Sequence, residues 1–123
     1  MADLDGLRRI AEVEFASIVK DTIRMDFKIR IILLDNSFVD VFLSEKLSDK
    51  FGFHWERMDL VGTIYRYDNV PDRRWKNLAT FPFHFHKGSQ EEVEDSPFPQ
   101  SPESGFRAFM EFVGELLKES PAP

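Results

Sequence analysis

Ile23-Arg24-Met25-Asp26-Phe27-Lys28-Ile29-Arg30-Ile31-Ile32-Leu33 alternates apolar and charged side chains over almost its whole length. Side chains of an extended chain point to opposite faces in turn, so a period of two means a strand with one buried face. The stretch reads as one continuous strand, 23–33, with its odd-numbered side chains inside. Asp35-Asn36-Ser37 is turn chemistry, and Phe38–Ser44 runs back with Val39, Val41 and Leu43 on one face, completing a hairpin.

Upstream the period changes. Leu4, Leu7, Ala11, Ile18 and Val19, widened by Ile10, Val13 and Phe15, recur at helical spacing, so Leu4–Lys20 reads as a helix capped by Asp3 or Asp5. Downstream, polar Glu45–Lys50 leads to a third strand, Lys50–Met58, with Phe51, Phe53 and Trp55 opposite Gly52, His54 and Glu56. Asp59–Gly62 turns the chain, and Thr63–Asp68 returns with Tyr65 and Tyr67 on one face and Ile64, Arg66 and Asp68 on the other. Asn69–Ala79 is a long charged loop, of a length that often carries function. Thr80–His86 reads as a fifth strand, at an edge or starting at Pro82, which cannot donate to a ladder. Gln90–Gln100 is acidic and proline-rich, an exposed connector. Ser101-Pro102-Glu103 starts a helix in which Phe106, Phe109, Met110, Val113, Leu116 and Leu117 form one stripe, ended by Ser120-Pro121-Ala122-Pro123.

The elements add up to a two-layer α+β domain. A five-stranded, mostly antiparallel sheet is flanked on one face by the N- and C-terminal helices, in the order α-β-β-β-β-β-α. The segments are 1–20 (helix), 21–88 (sheet), 89–101 (connector) and 102–119 (helix), one domain over 1–123. A length of 123 residues fits one core, and 13 phenylalanines supply bulky apolar surface, roughly 1.5–3 kcal/mol each when fully buried. With no cysteine, disulfides, thiolate metal sites and thiol nucleophiles are excluded, which fits a cytoplasmic protein. The acidic start lacks the pattern of a secretory signal, and no apolar run is long enough to span a bilayer.

The net charge of −6 opposes general nucleic-acid binding. It is unevenly spread: residues 51–88 hold six basic against four acidic side chains, a local +2, together with all three histidines. A register with Trp55 opposite Tyr67 sets Glu56 against Arg66 and His54 against Asp68. One polar face then collects His54, Glu56, Arg66, Asp68, His84 and His86, with Lys87 and the basic loop at its edge. Glu56 and Arg66 read best as a cross-strand ion pair, and the aromatic residues as core. The histidines suit general acid–base work, and Arg66 or Lys87 a phosphate. His84-x-His86, with Asp68 or His54 as a third ligand, also permits a divalent metal, but no cofactor is the favoured reading. Asp68 and Asn69 before Pro71 fit plain turn chemistry as well.

The run Phe53-His54-Trp55, then Tyr65-Arg66-Tyr67-Asp68-Asn69-Val70-Pro71, then Thr80-Phe81-Pro82-Phe83-His84-Phe85-His86-Lys87 resembles the TumE-like family. These are small prokaryotic proteins, the toxin half of type II toxin–antitoxin pairs. Their pattern is a strand ending Arg-Tyr/Trp-Asp-Asn-Ala-Pro, a loop, Thr-Phe-Pro-His-His-Lys-His, an acidic stretch, a serine and a terminal helix. Arg66, Asp68, Asn69, Pro71, Phe81, Pro82, His84 and His86 match; Phe83, Phe85 and Val70 depart from it. The resemblance implies a cytoplasmic toxin that binds a small antitoxin protein and, by the usual reaction of such toxins, cleaves RNA. On this chain the catalytic set would be His84, His86, Asp68, Arg66 and His54. Lys87, Asn69, Arg73 and Arg74 would bind substrate. A non-catalytic protein-binding module and a metal-dependent phosphoesterase stand beside that reading. The oligomeric state stays open, a homodimer included.

Overall fold

A computed structural model of the chain describes residues 3–47 and 49–119. Helix α1 (Leu4–Glu14) is followed by β1 (Val19–Arg24), β2 (Lys28–Leu33), β3 (Phe38–Leu43) and β4 (Phe51–Arg57). A short helix α2 (Met58–Val61) leads into β5 (Thr63–Asp68), then a 3₁₀ turn (Arg73–Trp75), β6 (His84–Gly88), β7 (Val93–Asp95) and α3 (Pro102–Glu119). The seven strands form one antiparallel sheet in chain order. The α+β class and the terminal helices match expectation; the strand number is seven, not five.

Both extra strands have a physical origin. The stretch 23–33 is not one strand. It turns at Met25–Lys28, where the Met25 N–H donates to the Lys28 carbonyl at 2.8 Å. The turn carries no glycine or proline to announce it, and it reverses the buried parity. Thr22 is buried on β1, whereas Ile29, Ile31 and Leu33 are buried on β2. Ile23 and Phe27, expected inside, are 41% and 64% exposed. α1 therefore stops at Glu14, and Val19 and Lys20, assigned to the helix, belong to β1. At the far edge, β7 lies in the stretch taken as a connector. Three residues, two of them acidic, suit an edge that must not recruit other chains. β6 is consequently internal, and it begins after Pro82 rather than at Thr80. The expected tail 120–123 lies outside the described residues.

Caps and turns follow their residues. The Asp3 carboxylate accepts from the Gly6 N–H at 2.6 Å, capping α1. Asn36 takes a left-handed φ of 70° in the Asp35–Ser37 turn, a conformation asparagine tolerates, while Asp35 accepts from the Ser37 N–H.

α1 and α3 cover one face of the sheet. Under them lie Ile29, Ile31, Leu33, Val39, Val41, Phe51, Phe53, Trp55, Tyr67 and Phe85, met by Leu7, Ile10 and Ala11 from α1 and by Phe106, Phe109, Met110 and Val113 from α3. The aromatic rings interlock edge to face: Phe53 with Phe106 at 5.4 Å, Phe85 with Phe112 at 5.4 Å, and Phe98 with Phe109 at 5.6 Å between centroids. Leu116, expected in the same stripe, is half-buried. Among the described residues, no α-helix covers the residues of the other face that line an open cleft.

Candidate functional site

On the open face, three neighbouring strands build two cross-strand rows. β4, β5 and β6 align Gly52, Asp68 and His84 in one row, and His54, Arg66 and His86 in the next. The register differs by two residues from the expected one: Trp55 faces Tyr65, and Glu56 faces Ile64 rather than Arg66. A shift of two preserves parity, so the side chains keep their face and change their partners. Glu56 binds His54 instead, with Oε1 3.1 Å from Nε2.

These rows form the floor of an open cleft of about 610 Å³. Its walls are Lys28, Asp40 and Phe42 from β2 and β3, and Val70, Pro71, Asp72 and Arg74 from the loop after β5. Gly52 leaves room on the floor. A Cβ there would stand 2.8 Å from Arg66 Nη2, so the guanidinium lies where any other residue would place a side chain.

Asp68, His84 and His86 are only 4%, 3% and 7% exposed, yet all three line the cleft. Asp68 is held on both oxygens. Arg66 Nε donates to Oδ2 at 2.6 Å, and the Val70 N–H donates to Oδ1 at 3.1 Å. His84 Nε2 lies 3.1 Å from the same Oδ1. His84 Nδ1 donates to the Pro82 carbonyl at 3.0 Å, next to the cis Phe81–Pro82 peptide bond. His86 Nδ1 donates to the Gln90 carbonyl at 2.9 Å, and its Nε2 has no hydrogen-bond partner among the described residues. A carbonyl only accepts, so each Nδ1 carries the hydrogen. The two imidazoles stand edge to face, 5.0 Å apart, and Trp75 closes over His86 with its ring at 6.3 Å.

The electrostatics split the pair of histidines. Burial depresses the basicity of His84, but the Asp68 hydrogen bond and charge, with the Pro82 carbonyl, outweigh it and raise its pKa. Burial also depresses His86; the Gln90 carbonyl works against this, the charge on His84 adds to it, and the net shift is downward. For Asp68, burial pushes the carboxyl up, while His84 and Arg66 pull it further down, below its ordinary value. At the mouth, the hydrogen bonds from Arg74 hold Asp72 down at about 2. One ligand atom each from Asp68, His84 and His86 falls within 4.8 Å of the others, a donor set able to hold a metal ion.

Of the nine residues expected to form a site, six meet here: His54, Arg66, Asp68, Arg74, His84 and His86. Three do not. Lys87 follows His86 on β6 and so turns to the opposite face, where it reaches towards Glu94 at 3.9 Å. Asn69 is a structural clamp. Its Oδ1 accepts from the Phe51 N–H at 2.8 Å and its Nδ2 donates to the Asp49 carbonyl at 2.6 Å, so it bonds a distant strand rather than local turn backbone. Arg73 does not line the cleft; it opens the 3₁₀ turn, which presents Arg74 instead. Lys28, Asp40, Phe42, Gly52 and Asp72 were missed. Gly52 alone left a signal, a glycine inside a strand of large aromatic residues.

No described helix is long and apolar enough to cross a membrane. Among curated proteins and among solved structures nothing matches the chain. A family model does, that described as toxin TumE, over residues 6–117. The match takes in every strand and both cleft rows, and the chain belongs to the TumE family of toxins from toxin–antitoxin systems.

Proposed function

We propose that the protein is a cytoplasmic, RNA-cleaving toxin, restrained by a small antitoxin protein, and that the open cleft is where the phosphodiester is cut. One observation carries the reading: three ionisable side chains, Asp68, His84 and His86, are buried at the floor of a cleft that substrate can enter. Burying such groups is costly, and apolar residues of similar volume are often more stabilising. Perturbed ionisable groups converging in a cleft mark sites of reaction.

The surrounding groups suit RNA. Arg66 on the floor and Arg74 at the mouth can face a phosphate from two sides, each with N–H groups beyond those that bond its aspartate. Phe42 offers an apolar wall on which a base can stack. In the reaction the ribose 2′-oxygen bonds to phosphorus and the bond from phosphorus to the 5′-oxygen breaks. The proton of the 2′-hydroxyl passes to a base at the cleft floor, a side chain or a water held there, and one returns to the departing 5′-oxygen.

The test is induced expression in a bacterial host with total RNA followed over time. Wild type should arrest growth and shorten the RNA, and Asp68→Asn, produced at the same level, should do neither. Growth arrest by both forms with intact RNA would remove the ribonuclease reading and leave a toxin that acts by binding a partner.

A further inference from the structure

We infer that Asp68, His84 and His86 form a binding site for a single zinc-type divalent transition-metal ion. This deepens the reading of the same cleft given above, and the test below therefore measures the ion apart from RNA cleavage.

Three features carry it. The first is convergence: the three residues bring one ligand atom each within 4.8 Å of the others at the buried floor. Atoms bonded to one tetrahedral ion at 2.0–2.2 Å lie about 3.4 Å apart, so an inward turn of one imidazole, closing the widest pair by roughly 1.4 Å, completes the set. The second is outer support. Each ring is fixed through Nδ1 by a main-chain carbonyl, His84 by Pro82 at 3.0 Å and His86 by Gln90 at 2.9 Å. Ligating imidazoles are held in this way, because a donated Nδ1–H fixes the tautomer whose Nε2 lone pair faces the ion. Asp68 is braced likewise, by Arg66 on Oδ2 and by the Val70 N–H on Oδ1. The third is donor chemistry. Two imidazoles and one carboxylate suit zinc and its neighbours, whereas magnesium and calcium prefer oxygen alone.

Binding replaces one proton: the hydrogen between His84 Nε2 and Asp68 Oδ1 leaves to solvent as the ion takes both atoms. The guanidinium of Arg66 is paired with Asp68 through Oδ2, which leaves Oδ1 to face the ion. Three protein ligands leave a four-coordinate ion one position open to the cleft, for water or a phosphate oxygen.

The experiment is calorimetric titration of zinc chloride into the full chain after chelator treatment and dialysis, with magnesium chloride for comparison. One equivalent of zinc should bind, and no magnesium. His86→Ala and Asp68→Asn should each lose that binding. Because a substitution on the floor can disturb folding, the wild type is also titrated with cobalt(II), whose visible absorption should saturate at one equivalent without any variant. Absence of zinc binding together with absence of the cobalt band overturns the inference, as does zinc binding unchanged in both variants. RNA cleavage by a chain that binds no zinc would also overturn it, while leaving the ribonuclease reading intact. One equivalent of zinc held by a chain that cuts no RNA would uphold the site and remove that reading.

Discussion

Phe85 and His86 are neighbours on β6, and they belong to two different kinds of surface. Phe85 points under the helices, 2% exposed, with Tyr65, Phe98 and Phe112 around its ring. His86 points the other way, into a cleft with three aspartates and two arginines among its lining. The backbone is the same, and so is the burial. On the helix side the core is apolar, and polar atoms within it such as Trp55 Nε1 with Ser37 and Tyr67 Oη with Pro99 have their hydrogen bonds made. On the cleft side His86 keeps one nitrogen without a partner. The covered face is explained by stability alone. The open face is not, because leucine or phenylalanine in place of its buried ionisable groups would fold as well.

The difference is breakable, starting with the largest effect. Phe85→Ala removes a ring from the interlocked layer and should cost about 3–5 kcal/mol of unfolding free energy, read by urea denaturation. A loss under about 1 kcal/mol would mean the aromatic layer is not what holds α3 to the sheet. His86→Leu should do the reverse. Stability should stay within about 1.5 kcal/mol of wild type, while RNA cleavage falls at least about a hundredfold, the scale of losing a group that moves a proton or polarises a phosphate.

Gly52→Ala sharpens the comparison further. The new methyl would crowd the side-chain end of Arg66 at 2.8 Å and meet Asp68 Cβ at 3.4 Å, an ordinary contact, so the fold should hold. Cleavage should drop by about tenfold as the guanidinium is pushed from the floor, the scale of one weakened charge-assisted hydrogen bond. Unchanged activity would show that the position of Arg66 does not matter. The smallest effect belongs to the covered face. Tyr67→Phe loses the 2.7 Å hydrogen bond to the Pro99 carbonyl and should cost about 0.5–1.5 kcal/mol near neutral pH. Burial pushes the Tyr67 hydroxyl from 10.0 to about 12. A raised folded pKa stabilises fully below the unfolded value, and that stability is lost as pH climbs from about 10 to 12. Wild type should therefore lose its advantage over Tyr67→Phe across that range, in unfolding curves at stepped pH.

The sequence made the two faces legible and hid how the strands meet. Alternation at Phe51–Glu56, Tyr65–Asp68 and His84–His86 assigns each side chain to a face whatever the register, which is why six cleft residues could be named together. The pairing depends on the turn between strands. Met58–Val61 coils into a helical turn closed by Gly62 at a φ of 75°, and that moved the register by two. At 23–33 the same alternation misled, because Met25–Lys28 turns without glycine or proline and the apolar rhythm runs through it unbroken. Lys87 was misplaced by setting charge above parity. Lys28, Asp40 and Phe42 come from strands far along the chain, and only the sheet order brings them to the cleft.

The central claim is that the uncovered face of this sheet is the reactive one. Incubating a short defined RNA with the purified chain tests it most directly, using wild type beside His86→Leu, with both forms shown to be folded by circular dichroism. Wild type should release fragments ending in a 2′,3′-cyclic phosphate, and His86→Leu, equally folded, should leave the RNA whole. Uncut RNA with wild type, or equal cutting by the two proteins, would contradict the claim.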